Sequence, residues 1–122
     1  MSKDKPIWLD EAAFHYAFTN TLDQEKSRAA WEAECVPESR RVGAGPTTDV
    51  AKIDFARERG PLLMIAGEKD HIIPAALNRK NFERYEGPSK TDFKELAGRD
   101  HFLIGSDGWR EVADYAADWL GA

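Results

Sequence analysis

The chain has 122 residues, enough for one domain, with 42% hydrophobic residues, 32% charged residues and a net charge of −5. This balance is typical of a globular protein, and the negative charge excludes nucleic acid or an anionic membrane surface as an expected partner. A single cysteine, Cys35, excludes an internal disulfide and fits a reducing cytoplasm. No signal peptide and no apolar run of membrane-spanning length is visible.

The first predicted elements are a short tail and a helix. Residues 1–9 carry only one small apolar patch. Asp10 is a suitable N-cap for a helix that reaches about Asn20, and Phe14 and Phe18 recur at the i, i+4 spacing of one helical face.

A second helix is predicted over residues 21–36, capped by Thr21 or Asp23 and followed by Pro37, which disfavours its continuation. Residues 10–42 therefore form a helical segment. Closely spaced glycines and a proline then predict a linker over residues 43–60.

The remaining segment, residues 61–122, predicts a βαβα unit. Residues 62–66 form a short apolar run without alternation, which indicates a strand buried on both faces in a parallel sheet. A helix is predicted from Pro74 through Tyr85, a second strand over residues 91–96, and an amphipathic helix over about 107–120. The fold class is therefore α/β.

Two chemically active side chains follow the two predicted strands. Asp70 lies in the loop after the first strand, and His101 lies in the loop after the second. Because the carboxyl ends of parallel strands share one sheet edge, we expect these side chains to meet. A carboxylate placed there can orient an imidazole and support its positive form.

At this point the sequence resembles the C-terminal part of an α/β-hydrolase. The stretch "PLLMIAGEKDHIIP" is similar to the family's acid-bearing strand and turn, and "AGRDHF" to its histidine loop. The helix "DGWREVADYAADWL" resembles the closing helix, and residues 10–40 resemble cap helices. The resemblance implies the C-terminal βαβα portion of a hydrolase sheet preceded by a helical cap-like segment. It assigns Asp70 as triad acid and His101 as catalytic base, in the family's chain order.

One part of the family pattern is missing from the sequence. No G-x-S-x-G nucleophile elbow is present, and the nearest stretch, Gly87–Thr91, follows a predicted helix instead of a strand. The resemblance therefore implies a hydrolase lacking its nucleophile half and inactive alone. We expect a small apolar ester-like substrate, no cofactor, and either a homo-oligomer or a complementary N-terminal half, because two strands leave an unpaired edge.

Each candidate residue also has a simpler interpretation. Asp70 could be a loop carboxylate that caps the helix near Pro74, and His101 could be an ordinary loop imidazole. Glu68 and Asp100 compete as acids, but we expect both to be solvated charges.

Other chemistry is less favoured by the spacing. A metal site formed by His71 with Asp70, His101 and Asp100 lacks any known zinc spacing. Cys35 is expected to be a packed thiol. The aromatic side chains of the helical segment could line an apolar pocket, although core packing is the usual role of such residues; they are Phe14, Tyr16, Phe18 and Trp31.

Three functional hypotheses remain open from the sequence. The chain could be an ester-type hydrolase that needs a partner, a non-catalytic binding or interaction module derived from a hydrolase, or a fragment of a longer gene.

Overall fold

The computed structural model describes residues 5–121. Within that range the chain is mixed α/β, with one parallel two-stranded sheet, which confirms the predicted class at this level. The helices are α1 (Glu11–Phe18), α2 (Gln24–Glu34), α3 (Arg40–Ala44), α4 (Ala75–Phe82) and α5 (Trp109–Leu120), and the strands are β1 (Leu62–Gly67) and β2 (Thr91–Leu96). Of the predicted tail, residues 1–4 lie outside the described range.

The first two helices begin at aspartates. The Asp10 carboxylate accepts the Ala13 N–H at 2.8 Å, and the Asp23 carboxylate accepts the Lys26 N–H at 2.8 Å. Each bond satisfies one of the N–H groups that a helix start leaves free. The predicted cap at Asp10 is confirmed, and of the two candidates for α2 the structure selects Asp23.

A buried hydrogen bond joins the end of α1 to α2. Within α1, the rings of Phe14 and Phe18 stack with centroids 5.0 Å apart. The hydroxyls of Thr19 and Ser27 lie 2.6 Å apart, and both residues are fully buried. Since buried hydroxyls are costly unless they are paired, this bond fixes the two helices in one arrangement.

The predicted linker contains local structure of its own. Helix α3 crosses the expected boundary between residues 42 and 43, and two 3₁₀ turns follow at Gly45–Thr47 and Asp49–Ala51. The segment then returns to the sheet, where the Phe55 ring packs edge-on against Tyr85 at 4.9 Å.

The two strands are parallel and in register from Leu62↔Thr91 to Gly67↔Leu96. Helix α4 packs on one face of the sheet, where the Phe82 and Phe93 rings lie 5.8 Å apart. Helix α5 packs on the other face, where the Trp119 Nε1–H donates to the Asp92 carboxylate at 2.5 Å. The βα unit thus forms three layers, helix on sheet on helix.

The expected burial of the first strand on both faces is wrong for most of its length. Leu62–Ile65 are only half-buried, and burial is reached at the carboxyl end, at Ala66 and Gly67. The physical reason is the width of the sheet. Two strands and one helix on each face leave the outer side of β1 without neighbours.

Candidate active site at the carboxyl edge of the sheet

The loops that follow β1 and β2 lie against each other, and a glycine makes this approach possible. A Cβ built on Gly67 would lie 2.5 Å from the Asp100 carbonyl oxygen and 2.6 Å from that of Arg99. Both distances are shorter than van der Waals contact allows. The absence of a side chain at the end of β1 therefore lets the loop between β2 and α5 (residues 97–108), which carries His101 and is called the histidine loop below, cross directly over that strand.

Backbone and side-chain bonds fasten the two loops together. The Glu68 N–H donates to the Leu96 carbonyl at 3.0 Å, and the Lys69 N–H donates to the Arg99 carbonyl at 2.7 Å. The Gly98 N–H donates to the Glu68 carboxylate at 2.7 Å. This bond, and then the charge of Lys69, lowers the pKa of Glu68 below its ordinary value. Glu68 is exposed, as expected, but it also ties the loops together.

The structure brings Asp70 and His101 into direct contact. The His101 Nδ1 lies 2.9 Å from the Asp70 Oδ2. The Asp70 Oδ1 accepts the N–H groups of Ile72 and Ile73 at 2.8 and 2.9 Å. One carboxylate oxygen thus accepts hydrogen bonds from the backbone of its own loop, while the other is hydrogen-bonded to the imidazole. The N-cap of α4 is Pro74, so Asp70 caps its loop and not that helix.

Burial differs between the two partners. The Asp70 side chain is 7% exposed, whereas the His101 side chain is 29% exposed. Because an ionised carboxylate can only accept, this contact places a proton on the His101 Nδ1. In the neutral ring, Nε2 then carries the free lone pair, which is the state of a general base. The Phe18 ring lies edge-on to the imidazole at 5.1 Å and restricts its tilt.

The expectation that Asp100 is a solvated charge is wrong. Asp100 is only 2% exposed, and its Oδ2 accepts the Thr21 N–H at 3.0 Å and the Thr21 hydroxyl at 2.7 Å. Its Oδ1 accepts the Phe102 N–H at 3.0 Å. The residue therefore fixes the histidine loop to the α1–α2 connection, a role that the local sequence did not indicate because its partner lies 79 positions away.

A cavity of about 550 Å³ opens beside the imidazole. Its walls are mainly apolar side chains from the N-terminal segment, α1, the end of α2 and the histidine loop. The lining residues are Ile7, Leu9, Phe14, Phe18, Glu34, Cys35, Val36, Glu38, Ser39, Gly43, His101, Phe102 and Ile104.

Two of the four aromatic side chains considered for a pocket, Phe14 and Phe18, line this cavity. Tyr16 instead packs on His71, with ring centroids 4.7 Å apart. The Trp31 Nε1–H donates to the Leu9 carbonyl at 2.9 Å, which holds the N-terminal segment against α2.

The structure does not support the alternative metal site. The His71 Nδ1 lies 2.8 Å from the Tyr16 carbonyl oxygen, so this nitrogen is a donor there and not a metal ligand. Among residues 5–121, no group of three or more His, Cys, Asp or Glu side chains is arranged to hold a metal ion.

Two of the serines, Ser89 and Ser27, lie away from the contact between Asp70 and His101, whereas Ser39 lines the cavity beside His101. The Ser89 hydroxyl donates to the Arg59 carbonyl, near the amino ends of the strands and thus at the opposite sheet edge from His101. The Ser27 hydroxyl lies 3.0 Å from the His15 Nδ1, a pair that sequence reasoning missed. Ser27 is only 1% exposed, so this pair is a structural hydrogen bond inside the helical segment.

Comparisons of the chain with protein-family models, with curated proteins and with solved structures find no match. No helix within residues 5–121 combines the length and the apolarity that crossing a bilayer requires. The geometry of the Asp70–His101 pair and its cavity is therefore the basis for assigning a function.

Proposed function

We propose that the chain supplies the acid and the base of an α/β-hydrolase-like enzyme that acts on ester-type substrates. Asp70 is the orienting acid and His101 is the general base. The observation that carries this proposal is the 2.9 Å contact between the His101 Nδ1 and the Asp70 Oδ2, made between loops that follow adjacent parallel strands.

The chemistry follows from the protonation of the ring. The His101 Nε2 takes the proton of a hydroxyl or a water molecule as its oxygen attacks the ester carbonyl, and later returns that proton to the leaving alcohol. Asp70 stabilises the imidazolium that forms between these steps. The 122 residues contain no G-x-S-x-G elbow, so we assign the nucleophile and the oxyanion donors to a complementary hydrolase segment.

The cavity supports a substrate with a small apolar portion. Its volume of about 550 Å³ lies within the range of roughly 300–1,000 Å³ that small-molecule sites occupy. The rings of Phe18 and Phe102 line it together with His101, so an acyl or alkyl group bound there would place its ester carbonyl near the base.

The setting that we propose for this activity is the cytoplasm, since the single cysteine fits a reducing compartment. The net charge of −5 argues against nucleic acid as a partner. The acid–base chemistry described above requires no cofactor.

Hydrolysis of an aryl ester by the purified chain tests the proposal. Without the nucleophile segment, acyl-enzyme chemistry is absent, and only the direct reaction with water remains for the chain alone. General-base activation of water contributes about 10²–10⁴-fold, so we expect this residual hydrolysis to be slow and to be removed by His101→Ala. His71→Ala is the matched control, because His71 is exposed and bonds to the Tyr16 carbonyl, and it should retain the rate. Equal hydrolysis by wild type and His101→Ala, or none by either, would contradict the catalytic assignment.

A second candidate function is a non-catalytic binding module derived from a hydrolase. The observation that favours it is an apolar cavity in a chain without a nucleophile elbow. It predicts that an apolar fluorescent probe binds to the wild type and to His101→Ala with similar affinity, while neither hydrolyses the ester. Loss of probe binding in Phe18→Lys would locate the probe in this cavity.

A further inference from the structure

The outer edge of β1 is open. The Leu62 N–H donates to the Lys90 carbonyl at 2.9 Å, on the side of β2. Because backbone groups alternate in direction along a strand, the N–H and C=O groups of Leu63 and Ile65 point away from β2. The sheet has no third strand among residues 5–121, and no backbone bond from another described segment reaches these groups.

This edge lacks the features that prevent strand pairing. The six residues of β1, "LLMIAG", contain no proline and no charge. Natural proteins protect an exposed edge with charged residues, proline, bulges or a covering segment. An uncharged, regular edge is therefore suited to pairing with another strand.

An apolar strip runs beside the open edge. Leu63 and Ile65 lie opposite Asp92 and Lys94 in the register, on the α5 side of the sheet. The named contacts of α5 with the sheet are made to β2, where Trp119 meets Asp92 and the Tyr115 ring meets the Lys94 ammonium at 5.2 Å. The side chains of Leu63 and Ile65 consequently stay half-buried.

The chain exposes more surface than a folded monomer of its size. The accessible surface is 8866 Å², whereas a folded monomer of this mass exposes about 6,600 Å². This excess of about 2,300 Å² is distributed over the whole chain, and it is larger than the roughly 1,000 Å² that each partner buries in the smaller obligate homodimers.

We propose that a second copy of this chain docks on the open edge, with the two β1 strands antiparallel across a two-fold axis. The result is one four-stranded sheet in the order β2–β1–β1–β2. We place the axis at Met64, because this register sets Leu63 opposite Ile65 of the second copy and forms about four backbone hydrogen bonds. An axis at Ile65 would pair Leu63 with Gly67, which offers no side chain to pack. On this edge, a second copy and a complementary hydrolase segment are alternative occupants.

Sedimentation of the purified chain, with no partner added, is the first test. We expect twice the monomer mass of 13.7 kDa at micromolar concentrations. Ile65→Pro removes an outward N–H that the β1–β2 ladder does not use, and proline is tolerated at such edge positions. This variant should sediment as a monomer with an unchanged helical circular dichroism spectrum.

Disulfide trapping tests the register and does not depend on how well the proline variant folds. In a Cys35→Ser background, Met64→Cys places two thiols opposite each other at the axis, in a non-hydrogen-bonded pair where side chains are closest. Mild oxidation should give a covalent dimer. Leu63→Cys is the matched control, because its thiol faces Ile65 of the second copy, and it should form little covalent dimer.

Two results would overturn the proposal. One is a wild-type chain that remains a 13.7 kDa monomer across the micromolar range, which would leave the edge to a complementary hydrolase segment. The other is a dimer that persists in Ile65→Pro, or that forms no Met64→Cys crosslink, since either finding places the interface elsewhere.

Discussion

At the scale of single residues, the candidate site is defined by how few conformations Asp70 and His101 can adopt. Each Asp70 oxygen has a fixed role, with Oδ1 on two backbone N–H groups and Oδ2 on the imidazole. The Phe18 ring restricts His101 from the side. Little reorganisation is therefore needed before a proton can move, which is how preorganised groups lower a barrier.

The tautomer of His101 is the first testable consequence. At a pH where the ring is neutral, ¹⁵N chemical shifts should report a proton on Nδ1 in the wild type, and a mixture of tautomers in Asp70→Ala. His71 serves as the internal control in the same spectra, because its Nδ1 faces the Tyr16 carbonyl and should stay protonated in both proteins. A His101 tautomer that does not respond to Asp70→Ala would show that the carboxylate does not orient the ring.

The close approach of the loops gives the second prediction. Gly67→Ala would push the backbone of Arg99 and Asp100 away from the end of β1, because the new Cβ would lie within 2.6 Å of their two carbonyl oxygens. We expect a loss of about 1–3 kcal/mol in the free energy of unfolding, the usual effect of overpacking. Gly60→Ala is the control, since a Cβ there has no neighbour within 4 Å. Equal urea midpoints for the two variants would contradict this account of Gly67.

At the scale of elements, α5 and the histidine loop are held in place by groups far apart in sequence. The Arg99 guanidinium donates to the Gly108 carbonyl at 2.8 Å and to the Glu111 carboxylate at 2.9 Å, at the start of α5. At its other end α5 is bonded to β2 through Trp119 and Asp92. The helix therefore supports the loop that carries His101.

The Trp119–Asp92 bond has a pH dependence of defined sign. The indole N–H, followed by Lys90, lowers the pKa of Asp92 below its ordinary value. A carboxyl whose pKa is depressed on folding contributes stability above its unfolded pKa, and this contribution is lost as pH falls through the folded pKa.

We therefore expect Trp119→Phe, which keeps a ring but removes the N–H, to be less stable than wild type at neutral pH. The difference should begin to shrink as pH falls below about 4, the pKa of an unperturbed aspartate, and should disappear below the depressed folded pKa, where Asp92 is protonated in both proteins. Urea unfolding at several pH values measures it. Trp109→Phe is the control, because Trp109 is 44% exposed and has no such carboxylate bond. A Trp119→Phe deficit that is constant with pH would rule out the bond as its cause.

At the scale of the whole molecule, the chain buries little of its surface. With 8866 Å² accessible, it covers about 55% of the surface of its extended chain, less than the roughly 60% typical of a 60-residue domain. Among residues 5–121 the buried apolar side chains are correspondingly few, namely Phe14, Ala66, Ala75, Leu96 and Val112. An isolated monomer should therefore be only marginally stable.

The fourth prediction concerns this stability. We expect a free energy of unfolding of about 5 kcal/mol or less at nanomolar concentration, the low end for folded domains. The melting temperature should rise with chain concentration, because a second copy that binds only the folded state stabilises it by mass action. A melting temperature that is high and independent of concentration would show that the folded monomer is stable without a second copy.

The sequence by itself determined both strands, the four helices other than α3, and the places of Asp70 and His101 after the two strands. Asp10 and Asp23 cap helices through bonds to residues three positions away, and such local chemistry can be read from spacing. The meeting of Asp70 and His101 could also be predicted, although they are 31 positions apart, because parallel strands always bring their carboxyl ends to one edge.

Only the tertiary structure decided the burial of Asp100, the half-exposure of β1, the pairing of Ser27 with His15, and the apolar cavity beside His101. Asp100 bonds to Thr21 across 79 positions, and no pattern of neighbouring residues specifies that distance. The burial of a strand likewise depends on which segments cover it, and here the outer edge of β1 has no paired strand within the described chain while Leu62–Ile65 stay half-buried. The spacing of residues along the chain predicts hydrogen bonds within a turn and between paired strands. Burial depends instead on how distant segments pack together, and the spacing of residues within one segment does not predict that packing.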